Sequence, residues 1–393
     1  MQAVPDFSLP VPDAEDREKS SALIRRLKER LQQAPISFET YMAEVLYHPQ
    51  WGYYGSGQVQ FGAVGDFVTA PERSPLFAAG LVYEWQQIAR QHPQAAVCEI
   101  GAGSGRLAID FLTTSAARGC IPARYLIVEI SPALQKRQQA QLRAALPEAL
   151  WQRVEWVDTL AVRPSVWPGG MLIANEVLDA MPVQRFRWIP GQANTACLMG
   201  VGLQGERFGW VPLGTQPELT AALTVYEQAW PVDSLPDTPI WAEINLGLAD
   251  WLAAWYSALA APAETRLYLL DYGAAARELY RPDRQEGTLR CHYRHRAHDD
   301  PFVYPGLQDI TSWVDFTRAA SLAETAGFVV DGERSQASWL LGTDVPDRFT
   351  EMMDAAKDRR QAAALAQGFK ELVLPTEMGE RFRVLRLTRP ATL

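Results

Sequence analysis

Residues 97–107 read VCEIGAGSGRL, and this stretch decides the fold. The apolar run AAVCEI at 95–100 is typical of a buried parallel strand, and alternating glycines follow at Gly101, Gly103 and Gly105. Glycines at such a turn let the backbone approach a ligand closely, because no Cβ lies between them. Ligands of open α/β sheets bind at the carboxyl ends of the strands. The stretch therefore indicates either a nucleotide-type site or a structural turn.

The spacing of the glycines narrows the kind of site. It is G-x-G-x-G, and Arg106 stands where the dinucleotide pattern G-x-G-x-x-G has its third glycine. Glu99 precedes the first glycine by two residues, and a carboxylate at that place favours a ligand with positive charge. A dinucleotide pyrophosphate instead favours bare N–H groups at a helix N-terminus. The pattern therefore argues against an NAD-dependent oxidoreductase.

Length and composition set the broad class. The chain has 393 residues, of which 48% are hydrophobic and 21% charged, as in ordinary globular proteins of two or three domains. Its formal charge of −9 argues against a nucleic-acid partner. No apolar run reaches the roughly 18 residues of a membrane span. The four cysteines are scattered, which predicts reduced thiols and no cysteine metal site. The N-terminus is acidic and unlike a targeting peptide, so we expect a cytoplasmic protein.

Strand-like and helix-like segments alternate from 95 to 182, which predicts an α/β fold with a parallel sheet and right-handed crossovers. Residues 183–245 break this alternation with β-type periods, and their aromatic residues also suit a homodimer contact. Strands at 328–335 and 381–387 close the chain. We therefore divide it into an N-terminal helical extension and active-site loop (1–70), a Rossmann-like cofactor-binding half (71–182), a β-rich insertion (183–245) and the remainder of the core with substrate-side loops (246–393).

Three local predictions concern caps and loops. An amphipathic helix is expected from Ser20 to just before Pro35. The polar segment 281–306 is expected to be irregular, and loops of that length inside a domain are generally functional or disordered. Residues 309–311, with the sequence DIT, are expected to cap a helix that runs to Ala326 and ends at Gly327.

Acidic residues follow the predicted parallel strands. They are Glu99, Glu129, Asp158 and Glu176, and each alone would suit a solvated strand end or a helix N-cap. Four on one edge of a sheet indicate a site for a cationic cofactor, and S-adenosylmethionine, with its ammonium and sulfonium groups, fits. A carboxylate after the second strand, Glu129, is placed to accept both hydroxyls of a ribose.

The run NEVLDAMP suggests what could receive a methyl group. Glu176 and Asp179 are three residues apart, and on a helix they would share one face. Paired carboxylates can orient a guanidinium, which stays protonated and offers five donors in a planar fork. The alternative is an acid pair that only favours a helix dipole. For His292, His295 and His298 we expect hydrogen bonds between the loop and the site rather than a metal.

The motifs together resemble the MidA-like class I methyltransferases, whose mitochondrial members methylate an arginine on a core subunit of respiratory complex I. The resemblance covers residues of about 35 to 387 in the expected order. It rests on GDFVTAPE (65–72), SPLF (74–77), EIGAGSG (99–105), VEISP (128–132), NEVLDAMPV (175–183), LDYG (270–273), GTLR (287–290), HRAH (295–298), PGLQDITSWVDF (305–316) and PTEMGERFRVL (375–385).

The resemblance implies a Rossmann-like sheet of seven strands, with the last antiparallel, and S-adenosyl-L-methionine as cofactor. It implies a loop from Gly65 to Glu72 that lines the site. The candidate residues that result are, for the cofactor, Glu99, Gly101, Gly103, Gly105, Glu129, Asp158, Asn175, Glu176, Thr69 and Pro71; for catalysis, Glu176, Asp179 and Asp66; and for the substrate, Glu72, Asp271 and His295.

The function implied is protein arginine N-methylation of a complex I-type subunit or another protein. The alternative is an assembly or scaffold factor that keeps the fold without catalysis, with residues 183–245 as the surface that binds its partner.

Overall fold

The computed structural model describes residues 9–57, 69–157, 167–227, 238–281 and 283–392. Two predicted site residues, Asp66 and Asp158, lie outside the described residues. The described helices are α1 (Ala14–Leu31), α2 (Phe38–Tyr47), α3 (Ala70–Arg73), α4 (Leu76–Gln91), α5 (Arg106–Ala117), α6 (Pro132–Ala145), α7 (Glu148–Trp151), α8 (Pro217–Glu227), α9 (Leu248–Ala258), α10 (Ala276–Leu279), α11 (Phe316–Ala326), α12 (Gln336–Leu341), α13 (Val345–Asp354) and α14 (Arg359–Val373).

The described strands form three sheets. They are β1 (Ile36–Ser37), β2 (Ala96–Ile100), β3 (Tyr125–Val128), β4 (Val154–Val157), β5 (Gly170–Asn175), β6 (Gln184–Ile189), β7 (Gln192–Gln204), β8 (Arg207–Gly214), β9 (Ile240–Ile244), β10 (Thr265–Ala274), β11 (Arg290–Tyr293), β12 (Arg296–His298), β13 (Asp309–Thr311), β14 (Val314–Asp315), β15 (Val329–Ser335) and β16 (Phe382–Arg389).

The central sheet has the order β15-β16-β10-β5-β2-β3-β4, with the short β14 paired to β10. The pairs β10–β5, β5–β2, β2–β3 and β3–β4 are parallel, whereas β16 is antiparallel to both of its neighbours. The expectation of an α/β sheet whose last strand is antiparallel is therefore confirmed. All five residues of β2 are buried, which is why this strand is almost continuously apolar. Two helical layers cover the sheet, with α4 and α5 on one face and α9 and α11 on the other.

A second sheet joins two distant parts of the chain. It has the order β1-β7-β6-β9 with β8 against β7, and Ile36 of β1 pairs with Val201 of β7. The strands predicted within 183–245 are confirmed, but α8 also lies there and was not expected. Phe208 and Trp210 of the insertion pack against Tyr41 and Phe38 of α2. These rings contact the chain's own helix, so they do not by themselves indicate a dimer contact.

The structure corrects the three local predictions. Helix α1 begins at Ala14 rather than Ser20, because the Asp13 side chain accepts the backbone N–H of Asp16 as an N-cap. Segment 281–306 is not wholly irregular, since β11 and β12 form a hairpin within it. Residues 309–311 form the buried strand β13, and Asp315 caps α11 by accepting the N–H of Arg318. The end of α11 at Gly327 is confirmed, with a left-handed φ of 108°. None of the described helices combines the length and apolar character needed to cross a bilayer.

Candidate active site

A cavity of about 600 Å³ opens where the central parallel strands end. Its volume lies within the range of about 300–1,000 Å³ that is usual for small-molecule and cofactor sites. Nine of the residues predicted from sequence line it, and they are Thr69, Pro71, Glu99, Gly101, Gly103, Glu129, Asn175, Glu176 and Asp179.

The glycine turn forms one wall of the cavity. Gly101 and Gly103 line it with φ values of 62° and 54°, in the left-handed region that favours glycine. Gly105 was predicted to bind cofactor, but it is buried and lies outside the described cavity lining. Its φ is 83°, and a Cβ added to it would lie 2.4 Å from Cδ1 of Leu142 on α6. Gly105 therefore lets α5 begin close to α6, which is a conformational role.

We expect the substitution Gly105→Ala to lower the free energy of unfolding by about 2–4 kcal/mol, from left-handed strain and from overpacking against Leu142. Affinity for S-adenosylhomocysteine should fall as well, because the turn shifts. Urea unfolding and isothermal titration measure the two effects. Gly119→Ala is the matched control, since φ there is 64° and no described atom lies within 4 Å of an added Cβ. Equal losses in the two variants would contradict the packing role of Leu142.

Two buried carboxylates line the cavity beside the glycine turn. The hydroxyl of Tyr125 donates to Oε2 of Glu99 at 2.7 Å, and burial raises the pKa of Glu99 to about 7. Glu129 accepts the backbone N–H of Ser131 at 2.9 Å and Nε2 of Gln138 at 3.0 Å. Burial also raises the pKa of Glu129, although these hydrogen bonds oppose the shift. These hydrogen bonds hold both carboxylates in place. A ligand that brings hydrogen-bond donors or positive charge would favour their ionised form.

Asn175 is the last residue of β5, Glu176 follows it, and both line the cavity. Glu176 has a φ of 52°, a left-handed conformation that is strained for a residue with a side chain. Its Oε1 accepts the backbone N–H of Ala70 at 3.2 Å and Nδ2 of Asn175 at 3.4 Å. Burial, with Asp179 nearby, raises the pKa of Glu176 to about 8. Oδ1 of Asn175 is buried and has no hydrogen-bond partner among the described residues.

The turn after Glu176 places a second carboxylate in the cavity. Residues 176–182 form no helix, so Glu176 and Asp179 do not share a helix face as expected, and the alternative of a helix-dipole device does not apply either; both side chains reach the cavity from a turn. Oδ2 of Asp271 accepts the N–H groups of Leu178 at 3.0 Å and Asp179 at 3.2 Å, which fixes the turn. Asp271 is fully buried and lies outside the described cavity lining, so its predicted contact with substrate is corrected to a supporting role. Burial raises the pKa of both aspartates.

The opposite wall contains residues that the sequence analysis did not identify as site residues. The hydroxyl of Tyr54 donates to Oδ1 of Asp309 at 2.8 Å, and that of Tyr47 donates to the carbonyl oxygen of Ala180 at 2.9 Å. Burial raises the pKa of both tyrosines, so their hydroxyls remain donors at neutral pH. The wall also includes aromatic and basic side chains that line the same cavity, namely Tyr272, Arg290, His292, Trp313, Arg381 and Phe382.

Two further predicted substrate residues lie elsewhere. His295 is exposed in the turn between β11 and β12, with a φ of 62°, and His292 on β11 is the histidine that lines the cavity. The physical reason is the β-hairpin, whose tight turn carries His295 away from the strand. Glu72 is outside the described cavity lining and accepts the hydroxyl of Ser104 in the glycine turn. Glu72 therefore holds the turn rather than facing the cavity.

The residues present fit S-adenosylmethionine. Gly101 and Gly103 give an open backbone wall, and Glu99 and Glu129 give carboxylates for an ammonium and a ribose diol, with Asn175 in the same lining. Glu176, Asp179 and Asp309 line the same cavity, so its acidic groups are not confined to the residues beside the glycine turn.

Comparison with known proteins identifies the family. A family model of S-adenosyl-L-methionine-dependent methyltransferases matches residues 76–334. A crystal structure from Burkholderia thailandensis, described as a likely methyl transferase bound to S-adenosyl-homocysteine, is 37% identical with a TM-score of 0.87, over 97% of this chain and 95% of that chain.

Curated relatives agree with this family. The Drosophila melanogaster protein named protein arginine methyltransferase NDUFAF7 homolog, mitochondrial, is 28% identical over 96% of this chain and 87% of its own length. The Mus musculus protein named protein arginine methyltransferase NDUFAF7, mitochondrial, is 27% identical over 90% of this chain and 81% of its own length. With its acid-lined cavity at the carboxyl edge of the sheet, the chain belongs to the family of S-adenosyl-L-methionine-dependent methyltransferases.

Proposed function

We propose that this methyltransferase acts on a guanidinium nitrogen of an arginine side chain in a protein. The observation that carries the proposal is that three further acids, Glu176, Asp179 and Asp309, line the same cavity, close enough for the two aspartates to raise the pKa of Glu176. Asp179 is only 5% exposed, and burial raises its pKa. Carboxylates that line a cavity suit a ligand that brings several N–H groups and a positive charge.

The names of the relatives support the same acceptor, because those at 27–28% identity over most of the chain are called protein arginine methyltransferases. A complex I-type subunit, which the motif resemblance implied, is part of this proposal, and so is another protein that presents an accessible arginine. Tyr47, Tyr54 and Tyr272 line the same cavity as these acids. Aromatic rings can hold a planar cation in place without neutralising the carboxylates.

The cofactor supplies an electrophilic methyl group on a sulfonium. The chain's own residues position the nucleophile, since methyl transfer is an in-line displacement that depends mainly on orientation and electrostatics. Glu176 and Asp179 accept N–H groups of the guanidinium and concentrate electron density on the nitrogen that attacks. As the N–C bond forms and the S–C bond breaks, that nitrogen loses one proton. Burial alone raises the pKa of Glu176 to about 8, and the positive charge of a bound guanidinium favours its ionised form, so that this carboxylate can orient the cation and then receive the proton.

The proposal is tested by comparing methylarginine across the proteome of a strain that lacks this protein and of the same strain complemented with it. We expect one or a few methylarginine sites to disappear in the deletion strain and to return on complementation. Isothermal titration with S-adenosylhomocysteine verifies that the complementing protein binds cofactor product. A lost methyl group on a residue other than arginine, with arginine sites unchanged, would overturn the proposal.

A further inference from the structure

Helix α3 contacts the Glu176 carboxylate without belonging to the central sheet. It has four residues, and a helix that short has almost no stability of its own, so its position depends on what it contacts. The N–H of Ala70 donates to Oε1 of Glu176 at 3.2 Å, and Glu72 accepts the hydroxyl of Ser104 in the glycine turn. Whatever holds α3 in place therefore also holds the Glu176 carboxylate.

Helix α14 packs directly against the end of α3. Gly368 of α14 faces the backbone there, and a Cβ added to it would lie 2.5 Å from the carbonyl oxygen of Arg73 and 3.0 Å from Cβ of Ser74. The first of these atoms is backbone, so a change of rotamer could not relieve the contact. Glycine is a poor helix former, and this close approach accounts for its presence inside α14.

An ion pair joins the same two helices. Nη1 of Arg73 lies 3.2 Å from Oε2 of Glu371, three residues after Gly368. Oε1 of Glu371 accepts Nε2 of Gln367 at 2.8 Å, so the carboxylate is already oriented toward α3 by its own helix. Partly exposed ion pairs add little to the free energy of unfolding. We therefore assign this one to the placement of α3.

Helix α14 is itself fixed to the central sheet. Nε2 of the buried Gln336 in α12 donates to the carbonyl oxygen of Leu372 at 2.9 Å, and Leu372 is fully buried. Helix α12 directly follows β15, whose last residue, Ser335, is its N-cap. A continuous series of contacts thus runs from the sheet through α12 and α14 to α3, and it ends at Glu176.

We propose that Gly368 and Glu371 are positioning residues of the active site, which hold α3 where the Ala70 N–H keeps the Glu176 carboxylate in the orientation that methyl transfer requires. This inference rests on the proposed function for the role of Glu176. Both residues lie outside the described cavity lining, so they act only through α3.

The contact between Ala70 and Glu176 has a measurable consequence. A hydrogen bond to a carboxylate favours its ionised form, so the Ala70 N–H opposes the burial and the charges of Asp179 and Asp309, which raise the pKa of Glu176 to about 8. Displacement of α3 should raise this pKa further, by about 0.5–1 pH unit for one lost hydrogen bond. A residue that only stabilises the fold would change the melting temperature without moving the pKa.

The pKa of Glu176 can be measured without a methyl acceptor. Each variant is paired with the same variant that also carries Glu176→Gln, and urea unfolding gives the free energy of unfolding of both from about pH 5 to pH 10. The difference within a pair isolates the titration of Glu176. Because the folded state raises this pKa from 4.5, the stabilising difference falls as pH rises and levels off above the pKa of the folded state.

Gly368→Ala is the variant that should move α3. We expect the pH at which the difference levels off to rise by about 0.5–1 unit relative to wild type. Gly327→Ala is the matched control, since a Cβ there would lie 2.8 Å from Cζ of Tyr256, in the helical layer on the other face of the sheet. It should lower the melting temperature and leave the levelling pH unchanged. A Gly368→Ala profile equal to wild type would overturn the inference alone, because no methyl acceptor takes part in this measurement.

Reversal of the ion pair is the second test, and it also applies if Gly368→Ala does not fold. Glu371→Arg brings two guanidinium groups together, so α3 should move and methyl transfer to protein from the deletion strain should fall about 10-fold, as for a small misplacement of a catalytic group. Adding Arg73→Glu restores an ion pair with the charges exchanged and should recover most of the activity. Wild-type activity in Glu371→Arg, or no recovery in the folded double variant, would overturn the role of Glu371. Methyl transfer only to residues other than arginine would contradict the proposed function and leave these results standing.

Discussion

Glu176→Gln is expected to lower kcat/KM for methyl transfer by about 100- to 1,000-fold, the usual effect of removing one preorganised electrostatic group. The glutamine can still accept the Ala70 N–H through its amide oxygen, so the local backbone should hold. It loses the negative charge, however, and turns an N–H toward a guanidinium that needs acceptors. Transfer of labelled methyl groups to protein from the deletion strain measures the loss.

Glu84→Gln is the control for this variant. Glu84 is also a buried carboxylate, hydrogen-bonded by Tyr268 at 3.2 Å, but it lies outside the described cavity lining. If Glu176→Gln still complements the deletion strain and binds cofactor as wild type does, the result would instead favour a scaffold protein that keeps this fold without catalysis.

The same variant should gain thermal stability, and the gain should depend on pH. The folded state raises the pKa of Glu176 from 4.5 to about 8, so between these values it holds a proton that the unfolded chain releases. The free energy of unfolding of the wild type therefore falls as pH rises through this window, and that of the variant lacks this contribution. The difference in melting temperature should be small near pH 5 and largest near pH 8. A variant less stable than wild type at pH 8 would contradict this argument.

Glu129→Gln is expected to weaken binding of S-adenosylhomocysteine by about 10- to 100-fold. The carboxylate has both oxygens oriented by Ser131 and Gln138 and keeps acceptor capacity for a ribose diol. An amide has only one acceptor oxygen. Its NH₂ group would face another hydrogen-bond donor, either one of the protein or one of the ligand, with no acceptor between them. Isothermal titration at constant pH measures the change in Kd.

The control for that effect is Glu155→Gln on the adjacent strand β4. Glu155 pairs with Arg124 at 2.7 Å and is outside the described cavity lining, so its neutralisation should leave the Kd unchanged. Cofactor affinity equal to wild type in Glu129→Gln would remove Glu129 from the cofactor site.

The residues proposed to hold the cofactor could be predicted because the sequence patterns that indicate them are short and contiguous. A buried strand, a glycine turn and a helix follow one another within 95–117, and strand ends of a parallel sheet share one edge, so Glu99, Glu129 and Glu176 had to lie near each other. The end of α11 at Gly327, which was correctly assigned, also depends on neighbours within a few residues.

Beyond Glu176 and Asp179, the residues proposed to meet the methyl acceptor could not be predicted, since they come together only through tertiary pairing. Tyr54 reaches Asp309 across 255 positions, and His292 meets Asp309 only through the register of a three-residue strand. A strand of three residues is too short to show an alternation of apolar and polar residues. Asp309 and Asp315 also both precede an apolar run, so either could be taken for a helix N-cap. Deciding between His292 and His295 required the position of the hairpin turn, which only the folded chain reveals.

The pairing of β1 with β7 has a consequence for how such enzymes diversify. It joins the segment that carries Tyr47 and Tyr54 to the insertion, whereas Glu99, Glu129 and Glu176 come from successive strands of the central sheet. On the proposed function, part of the surface that meets the methyl acceptor thus lies on a different piece of backbone from the strands that hold the methyl donor, and the two pieces meet at one cavity. We therefore expect substitutions of Tyr47 or Tyr54 to change which protein is methylated more than they change cofactor affinity.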